Sequence, residues 1–135
     1  MYIEINDNTT FRDIQEAFAN FYPYLQIEFY KLPHKKYEAS QESNAVYPGN
    51  TVSEVKQTHV SGVIEIHPWY KVTGVEMEFQ NRFGLFAQIL RKEKNKWVQT
   101  TGMDDFTLKE LNELSRNSSD DFIISEPDSE YKDEK

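Results

Sequence analysis

Cysteine is absent from this chain. With it go disulfide scaffolds, thiolate nucleophiles and every zinc site that needs a sulfur ligand. Long apolar runs are absent too: none approaches the roughly 20 residues a helix needs to cross a bilayer, so no membrane partner is expected. The opening residues, MYIEI, enter an alternating strand with no basic stretch or apolar core ahead of it, unlike a secretory signal. The five glycines form no GxGxxG or P-loop phosphate cradle and no GxSxG nucleophile elbow. The acids lack the DxDxDG spacing of a calcium loop. These absences predict a cytoplasmic protein with no cofactor and no metal.

Basic residues are also scarce. Fifteen Lys and Arg stand against 23 Asp and Glu, for a net charge of −8. The imbalance is concentrated at the C-terminal end, where residues 117–135 carry seven acids and two lysines and leave only −3 for residues 1–116. Such a balance argues against a nucleic-acid partner, whose backbone is bound largely through Lys and Arg. It also divides the chain into a body, 1–116, expected to be one α+β domain, and an acidic, flexible tail, 117–135.

Aromatic residues, by contrast, are plentiful: nine Phe and eight Tyr can build a core from few positions. They fall in a pattern that occurs twice. Residues 2–31 and 63–92 each open with a short strand, YIEI and VIEI, pass through an amphipathic helix, and close on an apolar strand ending in basic residues. At an offset of 61, Ile3 meets Ile64, Ile5 meets Ile66, Phe11 meets Val72, Ile14 meets Val75 and Phe18 meets Phe79. Thr10 with Asp13, Thr51 with Glu54 and Thr107 with Glu110 have capping-box spacing and predict three helix starts. Pro68 sits near a fourth helix start, and Gly84 ends that helix. KEKNK at 92–96 reads as a hairpin loop, and the polar stretch 31–50 as a long loop. Two β-α-β units and a hairpin predict a ferredoxin-like two-layer α+β sandwich, mostly antiparallel, with helices on one face. A β-grasp-like arrangement is the alternative, because the second unit with its hairpin also reads β-α-β-β.

The stretches FYPYLQIEFYKLPH (21–34), TVSEVKQTHVSGVIEI (51–66), FGLFAQILRK (83–92) and WVQTTGMDDFTL (97–108) resemble a family of small conserved bacterial proteins. The resemblance covers roughly residues 2–115. It implies no activity and transfers no catalytic residue. Lys71 and Gly74 depart from the pattern, where a Thr cap and a good helix former would be expected, and both departures weaken the second helix.

Three clusters carry candidate chemistry. If Ile3 and Ile5 face the helices, Tyr2 and Glu4 face outward. The same alternation turns Gln26, Glu28, Tyr30, Glu65, His67 and Gln88 outward, so three carboxylates and an imidazole would share one open sheet face. Such groups can bind a cation or act as acid and base when crowding shifts their pKa values. They also suit a docking face or a plain solvated one. The second cluster is basic. Lys31, Lys35 and Lys36 follow the first unit; Arg91, Lys92, Lys94 and Lys96 follow the second, with Trp97 as a stacking surface. Equivalent placement in the two units would put both groups at one end of the sheet. The third is the tail segment Phe122, Ile123 and Ile124, set among acids. It suits an edge strand or a short motif that orders on a partner. His34, His59 and His67 lack the HxH or HxxxH spacing that would hold a metal. The reading that best joins these features is a non-enzymatic protein-interaction or scaffold module. It would bind a protein partner, or itself, through its sheet face, sheet edge or tail. The rival is a small-molecule-binding regulatory domain or small enzyme using Glu4, Glu28, Glu65 and His67.

Overall fold

Alternation fixes the first strand. In β1 (Tyr2–Ile5), Ile3 and Ile5 are buried while Tyr2 and Glu4 are exposed. Thr10 then caps α1 (Phe11–Phe21): its side chain accepts the Asp13 amide, and Asp13 accepts the Thr10 amide. Phe11, Ile14 and Phe18 recur at helical spacing and form the buried stripe. The chain returns through β2 (Leu25–Tyr30). Of the expected loop, a 3-10 turn at Glu42–Asn44 runs beside β2, where the Val46 amide donates to Phe29. The short α2 (Val52–Lys56) starts at the Thr51–Glu54 capping box. These elements come from a computed structural model that describes residues 1–33, 41–56, 59, 61–100 and 102–124. His34, Lys35 and Lys36 lie outside the described residues.

The second half comprises β3 (Gly62–Glu65), α3 (Val72–Phe83), β4 (Phe86–Glu93), β5 (Lys96–Gln99) and α4 (Leu108–Ile124). Pro68 lies in the turn before α3, closed by the Tyr70 amide on the His67 carbonyl, and the helix starts four residues later behind Lys71. Two boundaries differ from expectation. The hairpin loop shrinks to Lys94 and Asn95, with Glu93 paired to Lys96 and Lys94 at φ 57°. The expected tail begins as helix, because no glycine or proline occurs between Gly102 and Pro127 to stop α4. Phe122, Ile123 and Ile124 are therefore helical, not an edge strand. Residues 125–135 lie outside the described residues.

The strands form two antiparallel sheets, β1-β3 and β2-β4-β5. Ile3 pairs with Ile64, and Ile27 with Ile89. Their inner faces, with Leu25, Phe29 and Ala87, share one core with Phe11, Ile14 and Phe18 of α1, Val72, Val75 and Phe79 of α3, and Leu108 and Leu111 of α4. Phe29 touches both Phe11 and Phe79, at ring-centroid distances of 5.1 and 5.3 Å. The architecture is a two-layer α+β sandwich. One hydrogen-bond set knits each half. The Phe11 amide donates to Asn50 and the Val52 amide to Thr9; the Val72 amide donates to Phe106 and the Leu108 amide to Tyr70.

Candidate functional site

The outer face of β1-β3 is built by register. Tyr2 stands opposite Glu65 and Glu4 opposite Val63, so all four side chains share a face. Ile3 and Ile64, on the other side of the same ladder, anchor it to the core. Just past β3, His67 donates through Nε2 to the Glu65 carboxylate. The Trp69 indole stacks on the His67 ring at 4.4 Å and 10° between planes, and Tyr70 meets His67 edge-on at 5.1 Å. The face is thus continuous from Tyr2 through Glu65 and His67 to Trp69. Tyr2 is 70% exposed, Trp69 67% and Val63 47%; Tyr2 and Val63 lie diagonally across the ladder, and Trp69 is linked to them through His67 and Glu65. Exposed apolar side chains are ordinary when scattered; contiguous ones mark interaction surfaces. No Lys or Arg occurs in either strand or in residues 66–70.

Glu28 and Tyr30 do not belong to this face. They lie on β2, in the other sheet, where Glu28 accepts from Gln26 Nε2 at 3.1 Å and from the Tyr30 hydroxyl at 2.9 Å. Gln88 stands opposite Glu28 in register. Tyr30 is 3% exposed and Gln88 1%; Tyr30 shares the face of Glu28, to which it bonds, but both side chains are covered, not open. Ala45, just past the 3-10 turn, bridges to Tyr30 at the edge of β2, a long-range contact that alternation cannot foresee. Burial and the adjoining charge of Glu28, with its hydrogen bond and more remotely Glu42, push the Tyr30 phenol well above its ordinary pKa. The expected single face of three carboxylates and an imidazole is therefore two separate polar clusters, one open and one largely covered.

The basic groups are separated as well. Leu25 pairs with Arg91 at one end of β2-β4, and Tyr30 with Phe86 at the other. Antiparallel pairing therefore sets Lys31 and the 91–96 hairpin at opposite ends of the sheet. At the hairpin Arg91 pairs with Glu93 at 3.4 Å, and the Lys92 ammonium lies 6.0 Å from the Trp97 ring centre. Lys94 and Lys96 flank Asn95 at the tip.

Sequence reasoning missed two features. Trp69 falls between strand and helix, where no periodic signal assigns it a side; its exposure depends on the turn that precedes α3. Glu76, at 8% exposure on α3, accepts the Ile89 amide at 3.0 Å where β5 stops covering β4. It lines a cleft of about 70 Å³ with Thr73, Met77, Gln80, Ala87 and Asp104, well below the few hundred Å³ of a small-molecule site. Among the described residues no three His, Asp or Glu side chains are grouped as a metal would need, and no helix is long and apolar enough to cross a membrane. No family model, curated protein or solved structure matches the chain.

Proposed function

We propose that this chain is a protein-interaction module that docks through the outer face of its β1-β3 sheet. The observation that carries this reading is the exposure of Tyr2, Val63 and Trp69 along one face, linked through Glu65 and His67, whose reverse side packs into the core. Rigid support matters because a preformed surface loses little conformational entropy on binding. The proposal also treats the two halves as diverged copies of one β-α-β unit. In its favour, the turn before α1 and the turn before α3 are closed alike, by the Thr9 amide on Asn6 and the Tyr70 amide on His67. The copies part company where the docking face lies. The first turn reads Asn6-Asp7-Asn8-Thr9 and the second His67-Pro68-Trp69-Tyr70. A photo-crosslinking residue at position 2 or 69 of the full chain is expected to trap one discrete partner in cells, and the same residue at Glu113, on exposed α4, to trap none. Equal labelling from all three positions, or none from positions 2 and 69, would end this reading.

A further inference from the structure

One end of the β2-β4 pair is hollow. A cavity of about 130 Å³ lies between α2, the end of β2 where Tyr30 pairs with Phe86, and the α3–β4 junction. Its walls are apolar: Phe11, Phe29, Val46, Val55, Leu85 and Phe86. Phe11, Phe29, Val46 and Leu85 belong to the buried core, so the fold itself fixes the shape. No residue of β1 or β3 is among its described lining residues, and the docking face proposed above plays no part in it. An apolar cavity of ~150 Å³ takes up a benzene molecule, so this one suits a single ring or a short branched chain rather than a drug-sized ligand. Gly84, the left-handed cap of α3 at φ 66°, also lines it, and a Cβ there would overlap the Lys56 ammonium. Glycine thus leaves the room in which that ammonium meets the cavity.

Two cations complete the lining: Lys31, exposed just past β2, and Lys56, half-buried at the end of α2. Among the described residues neither ammonium has an ion-pair partner, and no Asp or Glu is among the described lining residues. Tyr30 also lines the cavity, and the Glu28 carboxylate it reaches is already occupied by two donors, the Tyr30 hydroxyl and the Gln26 amide. Glu42 acts on Tyr30 only more remotely. The C-terminal end of α3, negative by its dipole, offers Lys56 a partial counter-charge; it leaves Lys31 without one and does nothing for the apolar walls. We propose that this cavity binds a small monocarboxylic acid, its apolar body against Phe11, Phe29 and Leu85 and its carboxylate held at the mouth by Lys31 and Lys56. Charge-assisted bonds from ammonium to carboxylate supply the polar end. The walls penalise a bare inorganic anion, whose hydration they cannot replace, and the two ammoniums repel a cation.

The test is an amide NMR titration of the full chain with phenylacetate, set against acetate, phenylacetamide and benzylamine. Phenylacetate should bind saturably at about 0.1–1 mM, the scale for about ten non-hydrogen atoms, and shift the Val55, Leu85 and Phe86 amides. Acetate lacks the ring, phenylacetamide lacks the charge and benzylamine reverses it; each should bind at least about 5-fold more weakly. Lys31→Gln and Lys56→Gln should each weaken phenylacetate by about 2–5-fold, the scale of one exposed ion pair, and the double variant should weaken it further. Both positions lie outside the core, so the variants should fold, and melting checks that they do. A lysine that only serves the α3 dipole would move the melting temperature and not the affinity. Phenylacetate affinity unchanged in the double variant therefore overturns the inference. So does acetate or benzylamine binding as tightly as phenylacetate, or the absence of a saturable shift at those three amides.

Discussion

At Tyr30 a hydroxyl donates to Glu28 at 2.9 Å inside a sheet face that alternation marks as open. Burial first, then the Glu28 charge and hydrogen bond, raise its pKa. Tyrosine ordinarily ionises near pH ~10. Above that pH the unfolded chain releases the Tyr30 proton while the folded chain keeps it. Its contribution to stability is therefore complete below about pH 10 and falls as pH rises toward the folded-state value. Absorbance titration near 295 nm should show tyrosines that lag, Tyr22 held up by burial and Tyr30 by burial and Glu28; Tyr30→Phe should remove the slowest component. If Tyr30→Phe leaves that component intact, the Glu28–Tyr30 contact is not what holds the proton. His59 shows the opposite balance. It is fully exposed, and its 2.7 Å contact with Asp7 raises its pKa, so whatever small support it lends is present below about pH 6.5 and fades as pH rises through its folded value.

Among the elements, α3 is the weakly built one. Lys71 occupies its N-cap position with no side-chain cap bond, its first turn holds no acid, and Gly74 sits in its interior. A Cβ added at Gly74 would meet nothing within 4 Å. Gly74→Ala should therefore stabilise the fold by about 0.5–1 kcal/mol, through reduced freedom of the unfolded chain and better helix propensity. Lys71→Ser, in the extended conformation that a cap needs, should add about 1 kcal/mol. Urea unfolding would show each as a raised midpoint at constant slope; a lowered midpoint for Gly74→Ala would mean that residue 74 is not in open space. Both weaknesses were legible in sequence, as were the caps at Thr10, Thr51 and Thr107, because these are local signals. The reach of α4 was not, since 117–121 is polar and acidic and only the lack of a breaker carries the helix on. Nor was the burial of Gln88 and Tyr30; at Tyr30 it accompanies a bridge to Ala45, from a segment distant in sequence. For the site, period-two alternation was enough to expose Tyr2, Glu4 and Glu65. Trp69 required knowing that the chain turns for four more residues after His67.

Over the whole molecule, each half is closed within itself by bonds from its helix starts. The first amides of any helix have no intrahelical acceptor. Here the Phe11 and Arg12 amides donate to Asn50 and Pro48, and the Val72 and Thr73 amides to Phe106 and Asp104, at 2.8–3.1 Å. In return the amides of Val52 and Leu108, each the first residue of its helix, donate to Thr9 and Tyr70. Each half thus closes a loop from the start of one helix to the start of another, over residues that are fully buried at Phe11, Val52, Val72 and Leu108. Opening either loop would expose core shared by both sheets, so these amides should exchange with solvent only when the whole domain unfolds. Hydrogen exchange read residue by residue should give Phe11, Val52, Val72 and Leu108 protection equal to that of β2 and β4 amides. Asp13, whose amide is held only by the exposed Thr10 hydroxyl, should exchange faster. Protection at Val72 and Leu108 with rapid exchange at Phe11 and Val52 would show that the halves open separately. The β1-β3 face, which takes one strand from each half, would then be a transient surface rather than the rigid one that docking without large entropy loss requires.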